Sequence, residues 1–212
     1  MRTRRPFRMR RVPLLTGSYC IVGFIVRLVI STLIAAALGL GSAYYAVSKF
    51  TGQSGEIQNG PWRTNLTTGG ADADMYTRAR VALFGLLALN KSETIYYTAT
   101  SDSAGEKFNP ACAYRIEGRD PDTRWWSFTA YGNDSYLIPN EGHRYAVSKN
   151  DVVRSTDGTF VIRLSTVPEA QNWIATSRDG FDVILRLYNP GPTVLANPST
   201  VELPAIVKEA CE

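Results

Sequence analysis

The sequence predicts a mainly β protein: a jelly-roll-like β-sandwich with one early α-helix, preceded by an N-terminal transmembrane helix. Three observations lead to this fold class. Residues 28–47 carry no charge, four later segments alternate apolar and polar side chains, and turn-forming residues separate those segments. Because 44% of the 212 residues are hydrophobic and 20% are charged, a disordered or fibrous chain is excluded.

Residues 21–47 are predicted to form the transmembrane helix, after a basic tail at residues 1–20. The uncharged run at 28–47 has the length that a helix needs to cross the hydrocarbon core. Arg27 interrupts the apolar segment near its start, where its side chain can reach the headgroups. A cleaved signal peptide is the alternative, but the apolar run is longer than the usual about 7–15 residues and no clean Ala-x-Ala site closes it.

Basic residues predict the direction of insertion. Six arginines precede the span and Lys49 alone follows it closely, so the positive-inside rule keeps the N-terminus in the cytoplasm. We therefore predict a single-pass, signal-anchored protein of the bacterial inner (cytoplasmic) membrane, with the lipid bilayer as a partner and a periplasmic C-terminal domain. The residues after position 28 have a net charge of −3, and no nucleic-acid partner is predicted.

One face of the predicted span carries small residues at a spacing of four, which are Ser31, Ala35, Gly39 and Ala43. Small side chains at this spacing let two helices approach closely. The pattern therefore predicts a packing face for a transmembrane-helix partner or a homo-oligomer. The ordinary abundance of small residues in membrane helices is the competing explanation.

Residues 48–61 are predicted to be a polar, glycine-rich linker, and residues 62–212 an exported β-sandwich domain. One helix is predicted early in the domain, capped by Asp72 or Asp74 and ending at Asn90. Its apolar residues recur with helical spacing at Met75, Ala79, Ala82, Leu83 and Leu86.

Four later segments are predicted strands, at residues 94–100, 124–131, 159–165 and 181–188. In the second of them, Trp126, Phe128 and Ala130 lie on one side, opposite to Trp125, Ser127, Thr129 and Tyr131. Asp157-Gly158 predicts a hairpin with a type I′ turn, because that turn needs positive φ at its central residues.

Short motifs follow one another along the domain in a fixed order: the helix DMYTRARVALFGLLALN at 74–90, then WSFTAY at 126–131, Asn172-Trp173, and LRLYNP at 185–190. Over residues 62–206 this ordered set resembles domain-of-unknown-function family 1214, a β-sandwich family of bacterial proteins. The chain differs from the family in having a membrane helix where many relatives have another β-rich domain. The resemblance implies a fold and brings no established active site.

Polar positions within the family-like motifs are the candidates for a ligand-binding site, and they are Tyr131, Arg144, Asn172, Arg186 and Tyr188. Arg186 lies in an otherwise apolar strand, where a half-buried guanidinium needs a partner. A structural ion pair with a carboxylate is the competing role for Arg186.

No catalytic residue, metal site or cofactor is predicted. His143 is the only histidine, no Gly-x-Ser-x-Gly sequence is present, and the cysteines lack the spacing of metal ligands. Glu117, Asp120 and Asp122 suit a glycosidase or a calcium site in residue type, with solvated loop charges as the alternative.

Cys112 and Cys211 are the two cysteines of the predicted exported domain, because Cys20 lies at the start of the membrane segment. An oxidising envelope permits a disulfide, and two exported cysteines allow a single intramolecular pairing. Two free thiols are the alternative.

The leading functional hypothesis is a membrane-anchored envelope protein whose exported β-sandwich binds a ligand or a protein partner. A hydrolase that acts on an envelope glycan or ester is the alternative from another class. An accessory subunit of a membrane complex, docked through the small-residue face of the span, is the third.

Overall fold

A computed structural model of the chain describes residues 17–47, 55–83 and 88–211, and the chain divides into two units, Met1–Ala46 and Val47–Glu212. The first unit contains helix α1 (Gly17–Tyr45). Within α1, the 24 residues Val22–Tyr45 are apolar and long enough to cross a membrane, as an anchor or as a signal sequence. Their side chains are exposed throughout.

Hydroxyl side chains in the middle of α1 bond to its own backbone. Ser31 donates to the carbonyl of Arg27, and Thr32 Oγ1 donates to the carbonyl of Leu28 at 2.9 Å. Hydroxyls satisfied in this way add little cost in hydrocarbon. At Gly39, on the predicted small-residue face, an added Cβ would meet no atom within 4 Å. The packing role of that face stays a prediction.

The described residues of the second unit form ten strands and two short helices. In chain order they are β1 (Glu56–Asn59), β2 (Trp62–Asn65), α2 (Met75–Leu83), β3 (Thr94–Ala99), β4 (Cys112–Gly118), β5 (Thr123–Gly132), β6 (Ala146–Ser148), β7 (Phe160–Ser165), β8 (Trp173–Ala175), β9 (Phe181–Pro190), α3 (Pro192–Ala196) and β10 (Ala205–Cys211). The four predicted strands correspond to β3, β5, β7 and β9.

The strands form two sheets, of which one has the order β1-β2-β3-β9-β5-β6 and the other β10-β4-β7-β8. All pairings are antiparallel except the one between β7 and β8. The fold is thus mainly β with two sheets, one early helix and an N-terminal apolar helix, as the sequence predicts.

The core is one cluster that takes alternate residues from the long strands of both sheets. Trp126 and Phe128 of β5 are fully buried, and the ring of Trp126 lies 5.0 Å from the ring of Phe160 in β7. The side of β5 that carries Trp126 and Phe128 therefore faces the core cluster. Its remaining members on β5, β7 and β9 are Ala130, Ile162, Leu164, Phe181, Val183, Leu185 and Leu187.

The turn before β7 differs from the predicted type I′ turn. Gly158 has a φ of 83°, whereas Asp157 is not in the positive-φ region. The amide of Gly158 donates to Ser155 O at 3.0 Å, and that of Ser155 donates to Thr159 O at 2.8 Å. This is a three-residue loop with glycine in the left-handed position, which needs positive φ at one residue instead of two.

Helix α2 begins where the sequence predicts, because Asp74 Oδ1 accepts from the amides of Tyr76 at 2.8 Å and Thr77 at 3.1 Å. Its apolar stripe is not buried, since no residue of Met75–Leu83 is buried. Leu86 lies outside the described residues. Asn90 does not end the helix as predicted: residues 88–90 are not helical, and Asn90 O accepts from Glu93 and Thr94 in the turn before β3.

The C-terminal segment closes the sandwich. Trp62 Nε1 donates to Pro204 O at 2.7 Å, and the buried hydroxyl of Tyr97 donates to Pro198 O at 2.8 Å. Burial raises the pKa of Tyr97 to about 12, so this donor keeps its proton. β10 then pairs with β4, where Cys211 faces Cys112 with their sulfur atoms 2.01 Å apart.

We expect one reactive thiol in the denatured, unreduced protein and three after reduction. Cys211→Ser is expected to lower the free energy of unfolding by about 2–4 kcal/mol, because the bond closes a loop of about 100 residues in the unfolded chain. Thiol labelling with mass spectrometry, and urea unfolding in detergent, check both. Cys20→Ser is the matched control with unchanged stability, and three reactive thiols before reduction would contradict the bond.

Candidate functional site

The side chains of β3, β9 and β5 that point away from the core form one surface, here called the outer face. Strand pairing places Arg186 between Tyr96 of β3 and Ser127 of β5, and Tyr188 between Thr94 and Trp125. Tyr131 lies opposite to Asp182 at one end of this surface. The outer face is therefore a half-buried group of aromatic rings around one cation.

Arg186 bonds to hydroxyls. One terminal nitrogen donates to Thr129 Oγ1 at 3.1 Å and the other to the hydroxyl of Tyr131 at 2.7 Å. Its guanidinium carbon lies 5.5 Å from the centroid of the Tyr131 ring. Among the described residues no carboxylate lies within ion-pair distance, so the ion pair considered from the sequence is not formed there. The half-buried positive charge is oriented but not neutralised.

Trp125 and Tyr188 extend the outer face with a pair of tilted aromatic rings. Their ring centroids lie 5.1 Å apart with an interplanar angle of 58°. Tyr188 is two residues from Arg186 along β9 and therefore on the same side of the sheet. The arrangement places a pair of aromatic rings beside an oriented cation.

Asp182 carries the negative charge of the outer face. Its carboxylate has no hydrogen-bond or ion-pair partner within the part of the chain that the structure describes, and burial raises its pKa above the usual value. Because Asp182 is four residues from Arg186 on the same strand, the two Cα atoms are separated by about 13 Å.

Asn172 lies away from the outer face, in the turn before β8, with a φ of 45°. Its amide nitrogen donates to Val153 O at 2.7 Å and to Val161 O at 2.9 Å, and its side-chain oxygen accepts from the amide of Val153 at 2.8 Å. These bonds occupy the side chain in joining three backbone segments. The structure therefore does not bring Asn172 together with Arg186.

Arg144 also lies apart, in the segment before the edge strand β6. One of its terminal nitrogens donates to Ala170 O at 2.7 Å. Of the five candidate residues, the outer face thus brings together Tyr131, Arg186 and Tyr188. The outer face also contains Trp125, Thr129 and Tyr96. Strand alternation alone places Trp125 and Thr129 on the same side of β5 as Tyr131.

The acidic residues considered for a hydrolase or a calcium site have structural partners. Glu117 pairs with Arg115 at 2.7 Å, and Asp122 bonds to Thr193 at the start of α3. Asp120 accepts from Arg154 at 2.9 Å and from Trp126 Nε1 at 3.0 Å. No group of three His, Cys, Asp or Glu side chains suited to a metal ion occurs in residues 17–47, 55–83 and 88–211.

Asp182→Asn is expected to stabilise the domain at neutral pH and to have little effect in acid. Because its pKa is raised in the folded state, that state binds more protons than the unfolded chain, and stability falls as pH rises from the unfolded pKa towards the folded one. The amide removes that cost. Urea unfolding of the full chain in detergent at neutral pH and at about pH 3 checks this. Exposed Asp179→Asn is the control, and a difference independent of pH would contradict the prediction.

Several solved structures resemble the chain. The VPA0106 protein from Vibrio parahaemolyticus is 19% identical with a TM-score of 0.55, over 82% of this chain and 43% of that one. An uncharacterized protein from Burkholderia cenocepacia is 17% identical with a TM-score of 0.44, over 81% and 41%. This chain therefore spans less than half the length of either, and the Vibrio structure supports the fold alone.

No curated protein matches the sequence significantly. Residues 93–192 match the family described as "Protein of unknown function (DUF1214)". That segment runs from the residue before β3 to the start of α3 and includes β9 and β5 with their outer-face residues. The match confirms the resemblance to domain-of-unknown-function family 1214 over these residues.

Proposed function

We propose that the chain is a single-pass envelope protein, anchored by α1, whose exported β-sandwich binds an anionic ligand on its outer face. The observation that carries the proposal is the half-buried guanidinium of Arg186, which bonds to two hydroxyls and to no described carboxylate. An arginine held in this way has further N–H donors for a carboxylate, sulfate or phosphate group.

The aromatic residues beside Arg186 suggest the form of the ligand. Because the rings of Trp125 and Tyr188 are inclined by 58°, a planar or sugar-like body can lie on one of them while the anionic group reaches the guanidinium. Tyr131 and Thr129 fix the direction of the guanidinium before a ligand arrives, which lowers the entropy lost on binding. We infer a ligand with one negative group and one flat face.

We expect Arg186→Gln to weaken the binding of naphthalene-1-sulfonate, a planar anion, by roughly tenfold or more, because a hydrogen bond to a charged group is worth about 1.5–3 kcal/mol. Saturation-transfer NMR of the full chain in phosphatidylcholine nanodiscs, with empty nanodiscs subtracted, gives the affinity. The matched control is Arg163→Gln, since Arg163 pairs with Glu169 at 3.0 Å on the other sheet. Equal affinities for both variants would argue against the site.

The anchor and its direction have a separate test. A reporter fused after Glu212 is expected to be active only in the exported compartment, because the basic tail holds the N-terminus in the cytoplasm. Replacement of the six tail arginines by glutamine is expected to reduce correct insertion. A fusion active in the cytoplasm would contradict the proposed topology, and release of the domain from the membrane would indicate a cleaved signal.

A further inference from the structure

Helix α2 presents an apolar face to solvent. The exposed fraction is 76% for Met75, 70% for Leu83 and 47% for Tyr76. At 100° per residue these side chains fall on one side of the helix, with Arg78 and Arg80 at its two borders. Asp74 caps the helix, and Arg78 Nε donates to Ala73 O at 2.9 Å, so its first turn is held in place.

The charge around this face differs from that of the domain. Residues 75–92 contain Arg78, Arg80 and Lys91 and no acidic residue, although Asp72, the capping Asp74 and Glu93 flank them, whereas the whole chain after residue 28 has a net charge of −3. An apolar stripe bordered by basic side chains is typical of a helix that lies in the interface of an anionic bilayer. The apolar side chains enter the acyl boundary. The arginines reach the phosphates, Arg78 with the N–H donors that its bonds to Ala71 O and Ala73 O leave over.

If α1 is the anchor, the chain is held at such a bilayer. The inference rests on that part of the proposed function. Only seven residues, 48–54, lie between Val47 and Gly55 in the sequence. We propose that α2 docks on the surface of the membrane that α1 spans, with phospholipid as the occupant of its apolar face.

A second copy of the chain fits the face less well. A helix of nine residues is about 14 Å long. A stable interface buries about 800 Å² on each partner, which exceeds what one stripe of that length offers. The bilayer needs no such area, because the anchor already holds the domain beside it.

The test uses the full chain with Cys20→Ser, so that an introduced cysteine is the one free thiol beside the disulfide. Nitroxide labels at Leu83→Cys, Val167→Cys and Leu33→Cys are compared in nanodiscs of phosphatidylcholine and phosphatidylglycerol in equal parts. Val167 is the control, because it is 59% exposed in the loop after β7. The measurement is the ratio of label collisions with oxygen to collisions with a water-soluble nickel chelate.

We expect this ratio to be several-fold higher at Leu83 than at Val167, and higher still at Leu33. A ratio at Leu83 equal to that at Val167, with Leu33 in lipid, would overturn the docking and leave the anchor intact. A low ratio at Leu33 would overturn the anchor and with it the docking. Spin–spin broadening at Leu83 that disappears on dilution with unlabelled chain would assign the face to a second copy and would also overturn the proposal.

Discussion

Strand β9 is the constraint on which the rest of the domain depends. It pairs with β3 on one side and β5 on the other over most of its length, and its alternate residues from Phe181 to Leu187 are buried in the core. Because side chains alternate with a period of two, packing of that face also fixes the opposite one. The position of Arg186 among aromatic rings is thus a consequence of the core, and a shift of one residue would place its charge inside the sandwich.

The charged side chains of the two sheets have different kinds of partner. On the four-stranded sheet, Arg115 and Arg163 each lie near Glu209, and each has a second carboxylate, so that surface forms a network of ion pairs. On the six-stranded sheet, Arg186 is bonded to hydroxyls and Asp182 has no described partner. Exposed ion pairs contribute little stability, whereas an unneutralised half-buried charge has a cost. Charged groups that lower the stability of the fold in this way are common at ligand-binding and catalytic sites.

Local patterns in the sequence predict the apolar helix, the strands β3, β5, β7 and β9 and the two sides of β5, because these follow from side-chain periodicity. The short strands β1, β2, β6 and β8 and the sheet order do not follow, since they depend on pairing between distant residues. The same holds for the site. Periodicity places Tyr131 with Trp125, but the partners of Arg186 require the register of β5 against β9. Asn172 resembles a binding residue by its type, and only the folded turn reveals its structural bonds.

The pairing of β10 with β4 has a consequence for the order in which the domain is assembled. Cys112 at the start of β4 and Cys211 at the end of β10 are 99 residues apart in the sequence. In the sheet, β4 lies between β10 and β7. During synthesis β4 emerges before β10 and keeps one edge unpaired until β10 arrives. Contacts of such sequence separation form slowly. The newly made domain therefore keeps an open sheet edge until β10 has formed, and an open edge is a template for pairing with other chains.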